Sequence, residues 1–301
     1  MEILLGQKSN TLMSQFNEHS TLGILKQVLR SKWFWGMGVL SVLILLTLIA
    51  MPAVHNYRVI QKIGALGGSF GVIEPDINKV PFLSRFRFNI WGNNTFIKLD
   101  SISRLNLYNT SVSDSDLIWV SDFKNLESLN LGKSQVSDAG FKHLKCFSKL
   151  GSLKLNDTQV GDPGLIHLKG LENLKHLFIP NTQVSDAGLI HLKNHKELER
   201  LWLDQTNITD SGLLHLKDIT SLKRLSLRGT KVTDSGLIHL AGLKDLNYLD
   251  LSNTQITGAG LMQLKECSNL GTLYVKDTQV TEAGVTKLNA VLPDCVITTG
   301  P

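Results

Sequence analysis

One repeat constrains this chain more than any other feature. A Leu-x-Leu pair recurs every 24 residues, at Leu105/Leu107, Leu129/Leu131, Leu153/Leu155, Leu201/Leu203, Leu225/Leu227 and Leu249/Leu251, and Leu177/Ile179 and Leu273/Val275 keep the same register. Another leucine precedes most of these pairs by three positions, from Leu126 to Leu270. Alternating Leu-x-Leu predicts a short strand with one buried face. The Gly-Leu-x-x-Leu that follows, as at Gly188–Leu192, has the i, i+3 spacing of a helix resting on a core. One unit cannot bury its own leucines, but stacked neighbours can. The expected fold is therefore α/β: a solenoid whose strands form a parallel sheet growing by about 4.8 Å per unit. Helices are wider than strands, so the stack is expected to curve, with the sheet on the concave face and the helices on the convex face. Ile297 falls in register with Leu273 and predicts a ninth strand.

Each unit also carries a stretch like Thr182-Gln183-Val184-Ser185-Asp186-Ala187-Gly188-Leu189-Ile190-His191-Leu192. On these residues, about 102–299 resembles the leucine-rich repeat family. The unit looks most like the ribonuclease-inhibitor-like and cysteine-containing subtypes, and the layout is similar to that of membrane-anchored proteins of planctomycete bacteria. The resemblance implies a leucine-rich-repeat solenoid. Thr158, Thr182, Thr206, Thr230, Thr254 and Thr278 stand where the family usually has Asn or Cys. Their hydroxyls can bond turn backbone groups, so the resemblance implies the same internal ladder with a different residue.

The recurring polar residues read mainly as structure. Ser113, Ser137, Ser185, Thr209, Thr233, Thr257 and Thr281 sit at helix N-cap positions. An Asp follows most of them, from Asp114 to Asp234, near the positive end of the helix dipole. The glycines from Gly140 to Gly284 suit close packing between units. A calcium ladder would need several acidic positions per turn where this unit has one. His143, His167, His191, His215 and His239 form a column that reads as half-exposed helix surface rather than a metal site. Cys267 shares a buried column with Phe147, Leu171, Ile219 and Leu243. Three cysteines are too few for a disulfide framework, although Cys295 lies one unit from Cys267.

Net charge separates the array from what precedes it. The 301 residues hold 31 Lys+Arg and 26 Asp+Glu, a formal +5. Residues 1–100 contain 10 basic and 5 acidic side chains and residues 101–301 contain 21 of each, so the excess lies in the first third. A balanced array has no phosphate-binding bias, and nucleic acid is not an expected partner. From Trp33 to Tyr57 there is no charged residue, enough for one transmembrane helix at 33–56 with interfacial aromatics at both ends. A lipid bilayer is thus an expected partner of that segment, which follows an N-terminal tail at 1–32. Lys26, Arg30 and Lys32 before the span against Arg58 and Lys62 after it favour a cytoplasmic N-terminus and exported repeats. Residues 57–101 are expected to cap the solenoid. They open with a short helix stopped by Gly67-Gly68 and include the aromatic and arginine-bearing stretch Phe82–Trp91. Residues 102–301 hold the eight repeats and their C-terminal end.

No nucleophile elbow, P-loop, dinucleotide fingerprint or zinc-protease motif occurs, so neither catalysis nor a cofactor is expected. What varies along the array is the set of strand positions facing outward. Phe178, Arg200, Trp202, Asp204, Arg224, Arg228, Tyr248, Asp250 and Tyr274 fall on the expected concave face. Aromatics and arginines are the residue types that dominate binding hot spots. The expected function is a membrane-anchored interaction scaffold for a protein ligand. The alternative is an F-box-like substrate adaptor of a ubiquitin ligase, which would need a helical F-box before the array.

Overall fold

The computed structural model describes residues 59, 61–72 and 102–300. The chain divides into two units, Met1–Ser69 and Phe70–Pro301. The tail at 1–32, the expected span at 33–56 and the stretch Phe82–Trp91 lie outside the described residues. Among the described residues no helix is long and apolar enough to cross a membrane.

In the first unit, residues 61–65 are helical, and the helix ends as the glycine pair predicts. Gly67 adopts φ +75°, its N–H donates to the Gly64 carbonyl, and the Gly68 N–H donates to the Ile63 carbonyl. These two bonds close the helix end in a Schellman motif, which needs a residue free to take the left-handed conformation.

The strands are β1 (Ser69–Val72), β2 (Ile102–Asn106), β3 (Ser128–Asn130), β4 (Ser152–Lys154), β5 (His176–Phe178), β6 (Arg200–Trp202), β7 (Arg224–Ser226), β8 (Tyr248–Asp250), β9 (Thr272–Tyr274) and β10 (Val296–Thr298). Their order in the sheet is their order in the chain. From β2 onward each strand pairs in parallel with the next at a constant offset of 24 residues, Leu105 against Leu129 and so on to Leu273 against Ile297. The leucines of this column and of the columns at 107, 126, 117 and 120 are buried along the array. Fully burying one such side chain stabilises by about 1.5–3 kcal/mol. The repeat is therefore held by its core, although most strands are only three residues long.

The opposite face is built from shorter helices than the spacing suggested. A four-residue α-helix such as Asp186–Leu189 passes into a 3-10 helix such as Ile190–Leu192, or the whole segment is 3-10, as at Asp138–Cys146. The i, i+3 spacing of the leucines is the period of a 3-10 turn, which keeps both on one face.

Backbone and hydroxyl groups close each unit locally. After each strand from β2 to β9 one residue sits in the left-handed region, including Asn109, Asp157, Asn181 and Asn253, with Gly229 in β7's turn. Short polar side chains and glycine tolerate that conformation best. The threonine column bonds within its own unit: from Thr110 to Thr278 each hydroxyl, with Ser134 in its place once, donates to the carbonyl three residues back at 2.5–2.8 Å. These are the expected bonds to turn backbone groups, and the backbone itself joins successive units, as in Leu107 N–H to the Asn130 carbonyl and Gln135 N–H to the Val112 carbonyl.

The carboxylate row does join units, which the dipole reading did not foresee. Asp186 accepts from the Thr209 N–H at 2.8 Å with one oxygen and from the Thr209 hydroxyl at 2.6 Å with the other. The same pair of bonds links Asp114 to Ser137, Asp162 to Ser185, Asp210 to Thr233 and Asp234 to Thr257. Asp138 meets Gly161 instead and takes the N–H groups of Gly161 and Gly164. Each clamp explains a glycine. A Cβ on Gly140, Gly164, Gly188, Gly212, Gly236 or Gly260 would collide with the clamping carboxylate oxygen of the unit before it. The series ends at Gly258, where Asp is replaced, and there the backbones of Gly258 and Gly284 pack directly together.

One core position breaks the apolar rule. The column of Phe147, Leu171, Ile219, Leu243 and Cys267 also contains His195, 2% exposed. Neither of its ring nitrogens has a hydrogen-bond partner. Burial pushes its pKa below the ordinary histidine value, and the nearby Leu171 carbonyl, which accepts from the Leu174 N–H, offsets only part of this. Cys267 and Cys295 are buried and form no disulfide, the Cys267 thiol donates to the Leu240 carbonyl at 3.3 Å, and burial raises that thiol to about 11.

Candidate functional site: the sheet face

Strand alternation turns the leucines inward and their neighbours onto the open face of the sheet. Parallel pairing at one fixed offset then places equivalent positions side by side. Arg200 lies beside Arg224, Arg224 beside Tyr248, and Phe178 beside Trp202.

The four aromatics of the expected site form one continuous stripe. Phe178 and Trp202 have ring centroids 4.9 Å apart, Trp202 and Tyr248 6.2 Å, and Tyr248 and Tyr274 5.5 Å. Trp202 and Tyr248 stand two strands apart, on β6 and β8, yet their planes are within 21°. They meet because the residue between them, Ser226 on β7, is small and buried, leaving no side chain to separate the rings. His176 extends the stripe, edge-on to Phe178 at 6.5 Å, and the Lys154 ammonium sits 5.3 Å from the Phe178 ring centre. Burial and the Arg200 charge push the His176 pKa down, so at neutral pH it is an uncharged ring.

Charged residues border the stripe unequally. Among the described residues, none of Arg200, Arg224 and Arg228 makes a hydrogen bond or ion pair. Arg200 and Arg224 line a shallow depression of about 490 Å³ beside the Glu199–Lys223 ion pair. Asp204 is partly buried and accepts from the Ser226 hydroxyl at 2.5 Å. Burial raises its pKa, while the Ser226 bond opposes the shift. Asp250 accepts from the Ser252 N–H at 2.9 Å, a turn-closing role that Asn106 and Asn130 play in earlier units. Asp250 is thus partly occupied by structure. His176, Lys154 and Ser226 were not among the expected site residues. All three occupy the same outward columns, and Ser226 contributes through its small size and its hydrogen bond to Asp204.

No acid–base pair or nucleophile with a base is assembled on this face. No group of three or more His, Cys, Asp or Glu able to hold a metal ion occurs among the described residues.

Part of this array is similar to leucine-rich repeats. A family model described as Leucine Rich repeat matches residues 219–241 and 243–265. It does not distinguish the ribonuclease-inhibitor-like from the cysteine-containing subtype. Internalin C2 of Listeria monocytogenes is a similar solved structure, 27% identical, with a TM-score of 0.56 over 68% of this chain and 83% of that one. An internalin F structure from the same organism is 22% identical, with a TM-score of 0.52 over 67% of this chain and 62% of that one. No curated protein matches the chain in sequence.

Proposed function

We propose that this chain is a leucine-rich-repeat interaction scaffold that takes a protein ligand on the sheet face between β5 and β9. The observation that carries the reading is the half-buried ring stripe on the open face of the sheet, flanked by guanidinium groups that make no hydrogen bond or ion pair among the described residues. Rigid aromatics offer contact area at low entropic loss, and free arginines are ready for carboxylate acceptors. Solenoids commonly use the open sheet for recognition because neighbouring units fix side chains in a wide, rigid array. The uncharged run at 33–56 would tether the scaffold to a membrane with its N-terminus cytoplasmic and its repeats exported.

Two measurements test this. Trp202→Ala combined with Arg224→Ala leaves the thermal midpoint within about 2 °C, because both side chains point away from the core. The same change reduces recovery of bound protein in quantitative pull-downs from native membranes by at least about 30-fold, the effect of losing two hot-spot residues of roughly 1–2 kcal/mol each. Identical partner profiles for the two chains would refute the site. External protease added to intact cells tests the tether and its orientation separately, since exported repeats are cut and cytosolic ones are not.

A further inference from the structure

The helical face carries a second surface. Ile166, Ile190, Leu214 and Ile238 are 50%, 41%, 43% and 53% exposed, and Met262 continues the row half-buried. They occupy the same position in five consecutive units. Three residues along, Lys145, Lys169, Lys193, Lys217 and Lys265 form an exposed column, with the half-buried histidine column between. Among the described residues these lysines have no ion-pair partner. None of the three columns contains an Asp or Glu in any unit. In the column after the lysines, Glu266 is paired with Lys244 at 3.4 Å and Asp218 receives Lys196 on its backbone carbonyl, and the carboxylates at the helix starts from Asp162 to Asp234 are engaged in the clamps between units.

Copying of the repeat does not by itself explain the aliphatic row. Another exposed column of the same face drifts freely through Glu172, Lys196, Thr220, Lys244 and Ser268. The row instead stays aliphatic while its residues change between Ile, Leu and Met. Nor does it resemble the sheet face. It has no arginine and no aromatic from 142 to 265, the residue types enriched where proteins bind proteins, and it is rich in lysine, which such interfaces avoid. Aliphatic side chains flanked by lysines over a span of roughly 20 Å are the composition of a surface that lies on anionic lipid. A second copy is disfavoured, because two lysine columns would face each other.

We propose that the helical face between residues 142 and 265 docks on the surface of a bilayer containing anionic phospholipid. The aliphatic row enters the headgroup boundary and the lysine column meets the phosphates. This holds the sheet face away from the membrane and open to its ligand.

The test uses the full chain with vesicles of phosphatidylcholine alone or with about 30 mol% phosphatidylglycerol, so any tether is the same in both. Lysine reactivity toward an acetylating reagent is read residue by residue by mass spectrometry. Lys169, Lys193 and Lys217 are expected to react at least about three-fold more slowly on the anionic vesicles, with Lys154 on the sheet face unchanged and about 0.5 M salt restoring the rates. Ile190→Glu with Leu214→Glu removes that protection while the thermal midpoint holds. Ile190→Ser with Leu214→Ser, which adds no charge, weakens it at least about two-fold. Equal reactivity on both vesicles would overturn the proposal, as would protection that survives the Glu changes. Protection that rises with protein concentration without lipid would assign the face to a second copy and overturn it too. Equal protection by soluble polyglutamate would show charge pairing alone, with the same consequence.

Discussion

Asp186→Ala is expected to lower the thermal midpoint of the array by about 5–10 °C. The carboxylate accepts the Thr209 N–H and hydroxyl at 2.8 and 2.6 Å, both charge-assisted bonds in a partly buried joint between units. Removing it leaves both donors without that acceptor, a loss of about 2–4 kcal/mol, and a chain of this size shifts by about 2–4 °C per kcal/mol. Gly212→Ala alone is expected to destabilise by about 2–3 kcal/mol, because the new methyl would overlap the same carboxylate oxygen. The double change tests the cause. With the carboxylate gone, the nearest remaining atom is Ile208 Cγ2, 3.1 Å from the new methyl, and that side chain can turn. The double variant should therefore be at least about 1 kcal/mol more stable than the sum of the single effects predicts. Calorimetry or chemical denaturation of the four chains measures this. Strict additivity would mean that the glycine is present for another reason.

His195→Leu is expected to stabilise the protein, and more strongly in acid. The ring is buried in a leucine column with neither nitrogen bonded, an arrangement that costs about 1–3 kcal/mol relative to an apolar side chain that fits. The folded chain holds the ring neutral, with its pKa below the ordinary value, whereas the unfolded chain takes up a proton near pH 6.5. Below about pH 6.5 the unfolded state binds more protons, so wild-type stability from this residue is fully present above about pH 7 and falls as pH drops. The gain from His195→Leu should be about 1–3 kcal/mol at pH 7 and should grow by up to about 2 kcal/mol by pH 5. The half-exposed histidine column is common to both chains and cancels in the difference. Denaturation curves at both pH values measure it. A pH-independent difference would show that the ring is paired in solution.

Much of the architecture was legible because the repeat is strict. With a fixed step of 24 residues and period-2 leucines, pairing register is determined before any contact is known, and every outward column follows from it. The glycine-stopped helix at 61–65 and the caps at Ser137, Thr209, Thr233, Thr257 and Thr281 were legible for the same local reason, since turn chemistry is written in adjacent residues, whereas the Ser113 and Ser185 hydroxyls make no cap bond. The Asp row was visible, but its role was not. A dipole at the helix start and a clamp to the next unit call for the same residue at the same position, and only the distance from Asp186 to Thr209 separates them. His195 carries no signal of its own in a sequence where histidine recurs on the half-exposed helix surface, and only packing shows that it fills a buried apolar column.

The sheet face shows the division most clearly. Sequence alone placed Phe178, Trp202, Tyr248 and Tyr274 on one surface, because side-chain direction in a strand is fixed by parity. It did not join them, since Trp202 and Tyr248 are 46 residues apart in the chain and two units apart in the stack, with a strand between them. Their stacking depends on the size of Ser226 and on the closeness of three parallel strands. The aliphatic row of the helical face divides in the same way. Its recurrence is a property of the sequence, but its exposure is decided by how tightly neighbouring short helices pack. The 24-residue period thus determined which residues share a column. Packing between units decided which columns are buried, which carboxylates are consumed in holding the stack, and which rings touch.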